Sequence, residues 1–193
     1  MRKKVSLLSE GQASAMMQGT WGRSQERDRH MLIFLLHTGL KVNEFVGLNV
    51  EDIFTGNRVR KTLTISLTGK PERKIPLDRD AREAVAVMLD FNRRQGFSLE
   101  THEPFVVSRQ RNKKDGSFRI TPRQVQRIIK TLREDASLGF KTTPQTFRHT
   151  FAKKLIEQGT ELKEVQKMLG HRSIKTTRDL YGWSQDEGVH HSS

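Results

Sequence analysis

The single tyrosine of this chain, Tyr181, stands in LGHRSIKTTRDLYGW, residues 169–183, ten positions after the pair Gly170-His171. A phenol there has two readings: it packs a terminal amphipathic helix, or its hydroxyl attacks an electrophile. Upstream, Thr143-Pro144 introduces Gln145, Arg148 and His149, and Lys70 lies in a Gly-Lys-Pro-Glu turn between TLTISL and RKIPL. The planar fork of an arginine can bind two phosphate oxygens at once, so such residues suit chemistry on a phosphate. Each also has an ordinary structural reading. Arg148 lies off the stripe formed by Phe147 and Phe151, as a solvated arginine would; a hairpin lysine is commonly exposed; a histidine after a helix-ending glycine can cap that helix.

The elements that must hold these residues follow from pattern. Ser9 and Gln12 form a capping box that opens a short helix through Ala13 and Met17. Residues 26–37, with Met31, Ile33, Phe34, Leu35 and Leu36, are dense enough for a core helix that Thr38-Gly39 stops, and VNEFVGL follows as a second short helix. The period then changes: residues 62–67 and 73–77 alternate as strands, giving a β-hairpin with Lys70 at its tip. Residues 80–91 return to helical spacing, PFVVS is an apolar piece of either type, and residues 109–119 read as a solvated basic loop or a second hairpin. Thr121-Pro122 with Gln124, and again Thr143-Pro144, open helices, the latter with a buried stripe of Phe147, Phe151 and Leu155. Gly159 ends it, Thr160 caps ELKEVQKMLG, Gly170 ends that helix in turn, and the last begins near Ser173 and carries Tyr181. The expected fold is mainly α with a small antiparallel β-sheet (α+β), in one domain without internal repeat or long linker.

Composition narrows the partner. In 193 residues, 35 Lys and Arg against 22 Asp and Glu leave a net charge of +13, which calls for a polyanion. A nucleic acid and an anionic membrane surface both qualify. The longest apolar run, MLIFLL, is far too short for a span, and MRKKVSLLSE turns polar before a signal segment develops, so a soluble intracellular protein is expected. Cysteine is absent, which excludes disulfides, thiolate metal sites and a cysteine nucleophile. The adjacent histidines of GVHHSS read as a frayed chain end rather than a metal site.

Four segments in order, TGLKVNEFVGLNVEDI, LTGKPERKIPL, TPQTFRHTFAKKLIEQGTELKEVQKMLGH and TTRDLY, resemble the boxes of the tyrosine recombinases, the phage-integrase family. The resemblance implies the catalytic-domain fold for residues 1–183, a flexible tail over 184–193 and no separate N-terminal domain in this chain. It implies site-specific DNA cleavage and strand exchange. A tyrosine hydroxyl attacks a phosphodiester, forming a 3′-phosphotyrosine and releasing a 5′-hydroxyl that later exchanges onto a partner strand; two transesterifications conserve the bond energy, and neither cofactor nor metal is needed. On matching positions Tyr181 is the nucleophile, Arg148 the second arginine of the phosphate clamp and His171 the histidine that hydrogen-bonds the scissile phosphate. Lys70 matches the general acid that protonates the leaving oxygen, while Glu44 and Asp52 match acids with structural roles. The implied partner is double-stranded DNA, with a tetramer forming on it and a monomer expected without it, in a bacterial or archaeal cytoplasm in association with the nucleoid.

Three positions depart from the family pattern. Lys41 replaces the first-box arginine and loses its bidentate geometry; Gln145 replaces a histidine and cannot exchange a proton near neutral pH. His149 matches a second family histidine but is expected on a different helical face. Tyr181 stands about one residue further from His171 than usual, a rotation of roughly 100° on a helix. These departures motivate an alternative, a recombinase-fold DNA-binding protein with weakened or lost catalysis. A basic RNA- or ribosome-associated protein is a third reading, motivated by charge alone.

Overall fold

The computed structural model describes residues 6–18, 25–66, 68–69, 71–111 and 115–181, with Tyr181 described by its backbone alone. Helix α1, Glu10–Gln18, starts where Ser9 and Gln12 satisfy each other: the Ser9 N–H donates to Gln12 Oε1 at 2.9 Å and the Gln12 N–H to Ser9 Oγ at 3.2 Å. Helix α2, Gln25–Thr38, is the central element and buries Met31, Leu32, Phe34 and Leu35. Helices α3, Val42–Gly47, and α4, Val50–Ile53, follow. In each, an acid reaches back to the residue before the helix: Glu44 Oε2 accepts the Lys41 N–H at 2.9 Å and Asp52 Oδ2 the Asn49 N–H at 2.8 Å. Both acids thereby pair amides that no helical carbonyl can reach.

The β-structure is two hairpins rather than one sheet among the described residues. Strands β1, Phe54–Thr55, and β2, Arg58–Val59, join through Gly56-Asn57, whose φ values of 52° and 67° define a tight two-residue turn. The pattern reading above misses this hairpin because its strands are too short for alternation to register. Strands β3, Thr62–Ile65, and β4, Arg73–Pro76, pair antiparallel with Leu63 opposite Ile75 and Ile65 opposite Arg73. Alternation puts Leu63, Ile65, Ile75 and also Arg73 on the buried face.

Helix α5, Arg79–Arg94, is capped by Asp78, which accepts the Ala81 N–H at 2.8 Å, and packs along α2. The PFVVS segment is extended: Phe105 N–H donates to Leu48 O at 3.0 Å and Val107 bridges Arg119. The described flanks of the basic stretch are thus bridged, and Arg119 is not solvated along its length, since Nη1 donates to the carbonyls of Val46 and Leu48 at 2.9 and 3.0 Å. Helix α6, Pro122–Asp135, opens with the expected box between Thr121 and Gln124, and α7, Pro144–Glu157, packs against α2. One core joins these elements; at its centre Phe34 meets Phe45 and Phe105 at ring-centroid distances of 6.0 and 5.6 Å.

Helices α8, Leu162–Leu169, and α9, Ile174–Tyr181, complete the fold. Glu161, not Thr160, precedes α8 as its N-cap. Thr160 is already committed to the end of α7: its N–H donates to Leu155 O at 2.9 Å while the Gly159 N–H donates to Ile156 O at 2.9 Å, the paired bonds that close a helix in a left-handed turn.

Candidate nucleic-acid cleavage site

The same closing device builds the site at the end of α8. Gly170, at φ 62°, lets the Gly170 N–H reach Lys167 O at 3.0 Å and the His171 N–H reach Gln166 O at 3.1 Å. Gln166 Nε2 also donates to the His171 carbonyl at 3.1 Å. The backbone of His171, not its ring, caps the helix. The ring is held separately, with Nδ1 3.0 Å from the hydroxyl of Thr177 on α9.

Two arginines take up the remaining carbonyls of α8. Arg148 Nη2 donates to Leu169 O, and Nη1 donates to Gly39 O at 2.7 Å, just beyond the end of α2. Arg73 Nε donates to Met168 O at 2.9 Å. Cations are favoured there because unpaired carbonyls leave a helix C-terminus partly negative. Arg148 is only 1% exposed, which removes the reading of it as a solvated arginine. It lies off the phenylalanine stripe, yet α2 and α8 close over it.

Arg73 also donates through Nη2 to Glu44 Oε2 at 2.5 Å, and both side chains are buried. Burial alone would raise the Glu44 pKa, but the bonds from Arg73 and from the Lys41 N–H outweigh it and hold the carboxyl below its ordinary range. Glu44 thus carries a charge that fixes α3, and with it Lys41, against α8. Glu44 Oε1 has no hydrogen-bond partner among the described residues.

These elements surround a cleft of about 860 Å³ lined by Lys41, Arg73, Lys74, Lys167, His171 and Arg172, among others. The cleft is basic, yet the His171 ring is neutral at pH 7. Burial, then the charges of Arg148, Lys41, His149 and Arg73, lower its pKa from 6.5 to about 4. A neutral ring carries a single N–H, on one of its two nitrogens.

The structure thus brings Lys41, Arg148 and His171 to one place. Gln145 is exposed on the first turn of α7, and its Nε2 lies 3.1 Å from His149 Nε2. That corrects the expectation of a different face: positions four apart on a helix are neighbours, so His149 stands beside Gln145. Lys70 lies outside the described residues, as does the side chain of Tyr181; the Tyr181 backbone ends α9 one turn beyond Thr177, on the same face. Arg73 and Thr177 were not singled out from sequence. The first was open to discovery, because strand alternation through Ile75 already turns position 73 inward. Among the described residues no helix is long and apolar enough to cross a membrane, and no three His, Asp or Glu side chains gather as metal ligands would.

The family model described as "Phage integrase family" matches residues 7–187. The chain is 32% identical over 157 residues to tyrosine recombinase XerC of Thermodesulfovibrio yellowstonii, an alignment covering 79% of this chain and 49% of that protein. It is 33% identical over 153 residues to tyrosine recombinase XerA of Pyrococcus furiosus, covering 79% and 49%. The chain thus spans about half the length of these curated relatives. Its fold matches the crystal structure of XerA recombinase with a TM-score of 0.77 at 22% identity, over 98% of this chain and 67% of that one. It matches XerH site-specific recombinase bound to a palindromic difH substrate, a post-cleavage complex, with a TM-score of 0.70 at 19% identity, over 96% and 52%. With the family model running from before α1 to beyond α9, the chain belongs to the phage integrase family.

Proposed function

We propose that this chain is the catalytic domain of a site-specific tyrosine recombinase, which cleaves double-stranded DNA through a 3′-phosphotyrosine and exchanges strands without a cofactor. The observation that carries this reading is the junction at the end of α8. Arg148 bonds Leu169 O, His171 follows two residues later and Lys41 lines the same cleft, so cationic donors and a neutral imidazole converge where a phosphate fits. In this reading Tyr181 is the nucleophile, Arg148 and Lys41 stabilise charge on the scissile phosphate, His171 donates to it and Lys70 protonates the leaving 5′-oxygen. The ordinary positions of an arginine and a histidine are held by Lys41 and Gln145, and His149 stands beside the latter.

Residues 1–183 form this unit in the proposal, with 184–193 as its tail. Its cleft cations bind duplex DNA, and protomers assemble as a tetramer on DNA from monomers in solution, in the cytoplasm at the nucleoid. The test uses nicked suicide duplexes bearing candidate sites. Wild type should trap a covalent protein–DNA species through Tyr181, and Tyr181→Phe should abolish it while binding persists. A chain that binds those duplexes with sequence preference and never forms the adduct would instead be a DNA-binding protein with lost catalysis.

A further inference from the structure

Thr177 is completely buried, and His171 Nδ1 is the one hydrogen-bond partner that its hydroxyl has among the described residues. A threonine in a helix commonly returns its hydroxyl proton to the carbonyl one turn earlier, as Thr150 does to Thr146 O at 2.9 Å. Thr177 has no such bond; the carbonyl four residues back, that of Ser173, instead accepts the Thr176 N–H at 3.1 Å. A buried hydroxyl has one proton to donate, and leaving it without an acceptor is costly. The acceptor in reach is Nδ1, which must then carry a lone pair rather than a proton.

We propose that Thr177 is a positioning residue that sets the tautomer and orientation of His171, placing the ring proton on Nε2 and turning that edge to the cleft. The two ring nitrogens are distinct, and the bond made by one decides what the other offers. With Nδ1 accepting from Thr177, Nε2–H becomes a donor aimed among Lys41, Lys167 and Arg172, whose chemistry suits a phosphate oxygen. With the opposite tautomer, Nε2 would present a lone pair to an anion and repel it. This rests on the reading of the cleft as a phosphate site.

The contact also couples two elements. Thr177 and Tyr181 lie four residues apart on α9, so the residue that orients His171 sits one turn from the tyrosine, on the same face. Residues 171–173 form the turn before α9, and the bond between Thr177 and the ring ties that helix to the end of α8.

The experiment reads ¹⁵N chemical shifts of the histidine rings in the free, full-length chain at pH 7, with His171 assigned by the loss of its signals in His171→Gln. Wild type should show His171 with a bare Nδ1 and a protonated Nε2. Thr177→Val, close in shape but without the hydroxyl, should introduce a second ring population with Nδ1 protonated, and Thr177→Ser should restore the single species. On a suicide duplex, Thr177→Val should cleave on the order of tenfold slower with DNA affinity within about twofold, as for residues that orient a functional histidine from behind, and Thr177→Ser should recover the rate. A protonated Nδ1 in wild type would overturn the inference, as would a Thr177→Val chain with unchanged ring shifts and rate. The ring shifts are read on the free chain and need no cognate DNA. An absence of cleavage in wild type therefore counts against the proposed activity, while the shifts decide the role of Thr177.

Discussion

Arg148 Nη1 donates to the carbonyl of Gly39, 109 residues away in the chain, at 2.7 Å, while its Nη2 holds Leu169 O. One guanidinium thus locks the end of α2 to the end of α8, so the arginine proposed to act on a phosphate is also a tie in the core. Arg148→Met should leave both buried carbonyls without a donor, at about 1–3 kcal/mol each. Arg148→Lys, which can reach one of them, should be intermediate. Urea denaturation midpoints check the order; equal midpoints for the three proteins would show that the carbonyls find other donors.

Gly39 must remain glycine for two reasons. Its φ is 59°, and an added Cβ would lie 2.3 Å from Phe151 Cδ1 in the packed core. Gly39→Ala should destabilise by about 2–4 kcal/mol, combining backbone strain with overpacking. Gly11→Ala is the contrasting case: Gly11 lies within α1 with nothing near its Cβ position, and the substitution should add about 0.5–1 kcal/mol through helix propensity. Thermal unfolding of both variants provides the comparison.

Stability should fall in mild acid through His171. Its folded-state pKa of about 4 lies below the ordinary 6.5, so between these values the unfolded chain takes up a proton that the folded chain refuses. The stability present above pH 6.5 is therefore lost progressively as the pH drops toward 4. His171→Gln, which cannot titrate, should flatten that part of the stability–pH curve. A variant with the same slope as wild type over this window would assign the acid sensitivity to other groups.

Restoring the two family residues should accelerate cleavage if the cleft is the active site. Lys41 is exposed at the start of α3, with Glu44 holding its backbone N–H, so Lys41→Arg adds a forked donor without disturbing the helix cap. A gain of about 10- to 100-fold in single-turnover cleavage is expected, below the 10²–10³ of a whole missing donor because the charge is already present. Gln145→His should help less, since His149 already occupies the neighbouring position. Unchanged rates for both would argue against these positional assignments.

How the sequence and the structure divide the information is clearest at α8. The helix, its glycine stop and the histidine beyond it are local events, set by propensity and by the left-handed residue that only glycine adopts cheaply, and they were readable from residues 160–171. The boxes at Ser9, Thr121 and Thr143 and the β3–β4 hairpin were legible for the same reason, each resting on short-range chemistry, whereas the grouping of Lys41, Arg148 and His171 was implied only by the resemblance. The boundary at Thr160 was not: its N–H closes α7 on Leu155 O, and α8 starts one residue later than expected, after Glu161.

Tertiary structure alone decided what the charged residues do. Arg148 and Arg73 carry the same guanidinium as any surface arginine, and only the approach of α2, α3 and α8 makes them buried partners of Gly39 O, Leu169 O, Met168 O and Glu44. Burial, then the charges of Arg148 on α7, Lys41 before α3 and Arg73 on β4 among others, keep His171 neutral. These properties depend on distances between segments tens of residues apart, which composition and periodicity do not encode. The sequence by itself determined which elements form and which residues can do chemistry; the packing of helix ends against one another determined which of those residues meet, and in what protonation state.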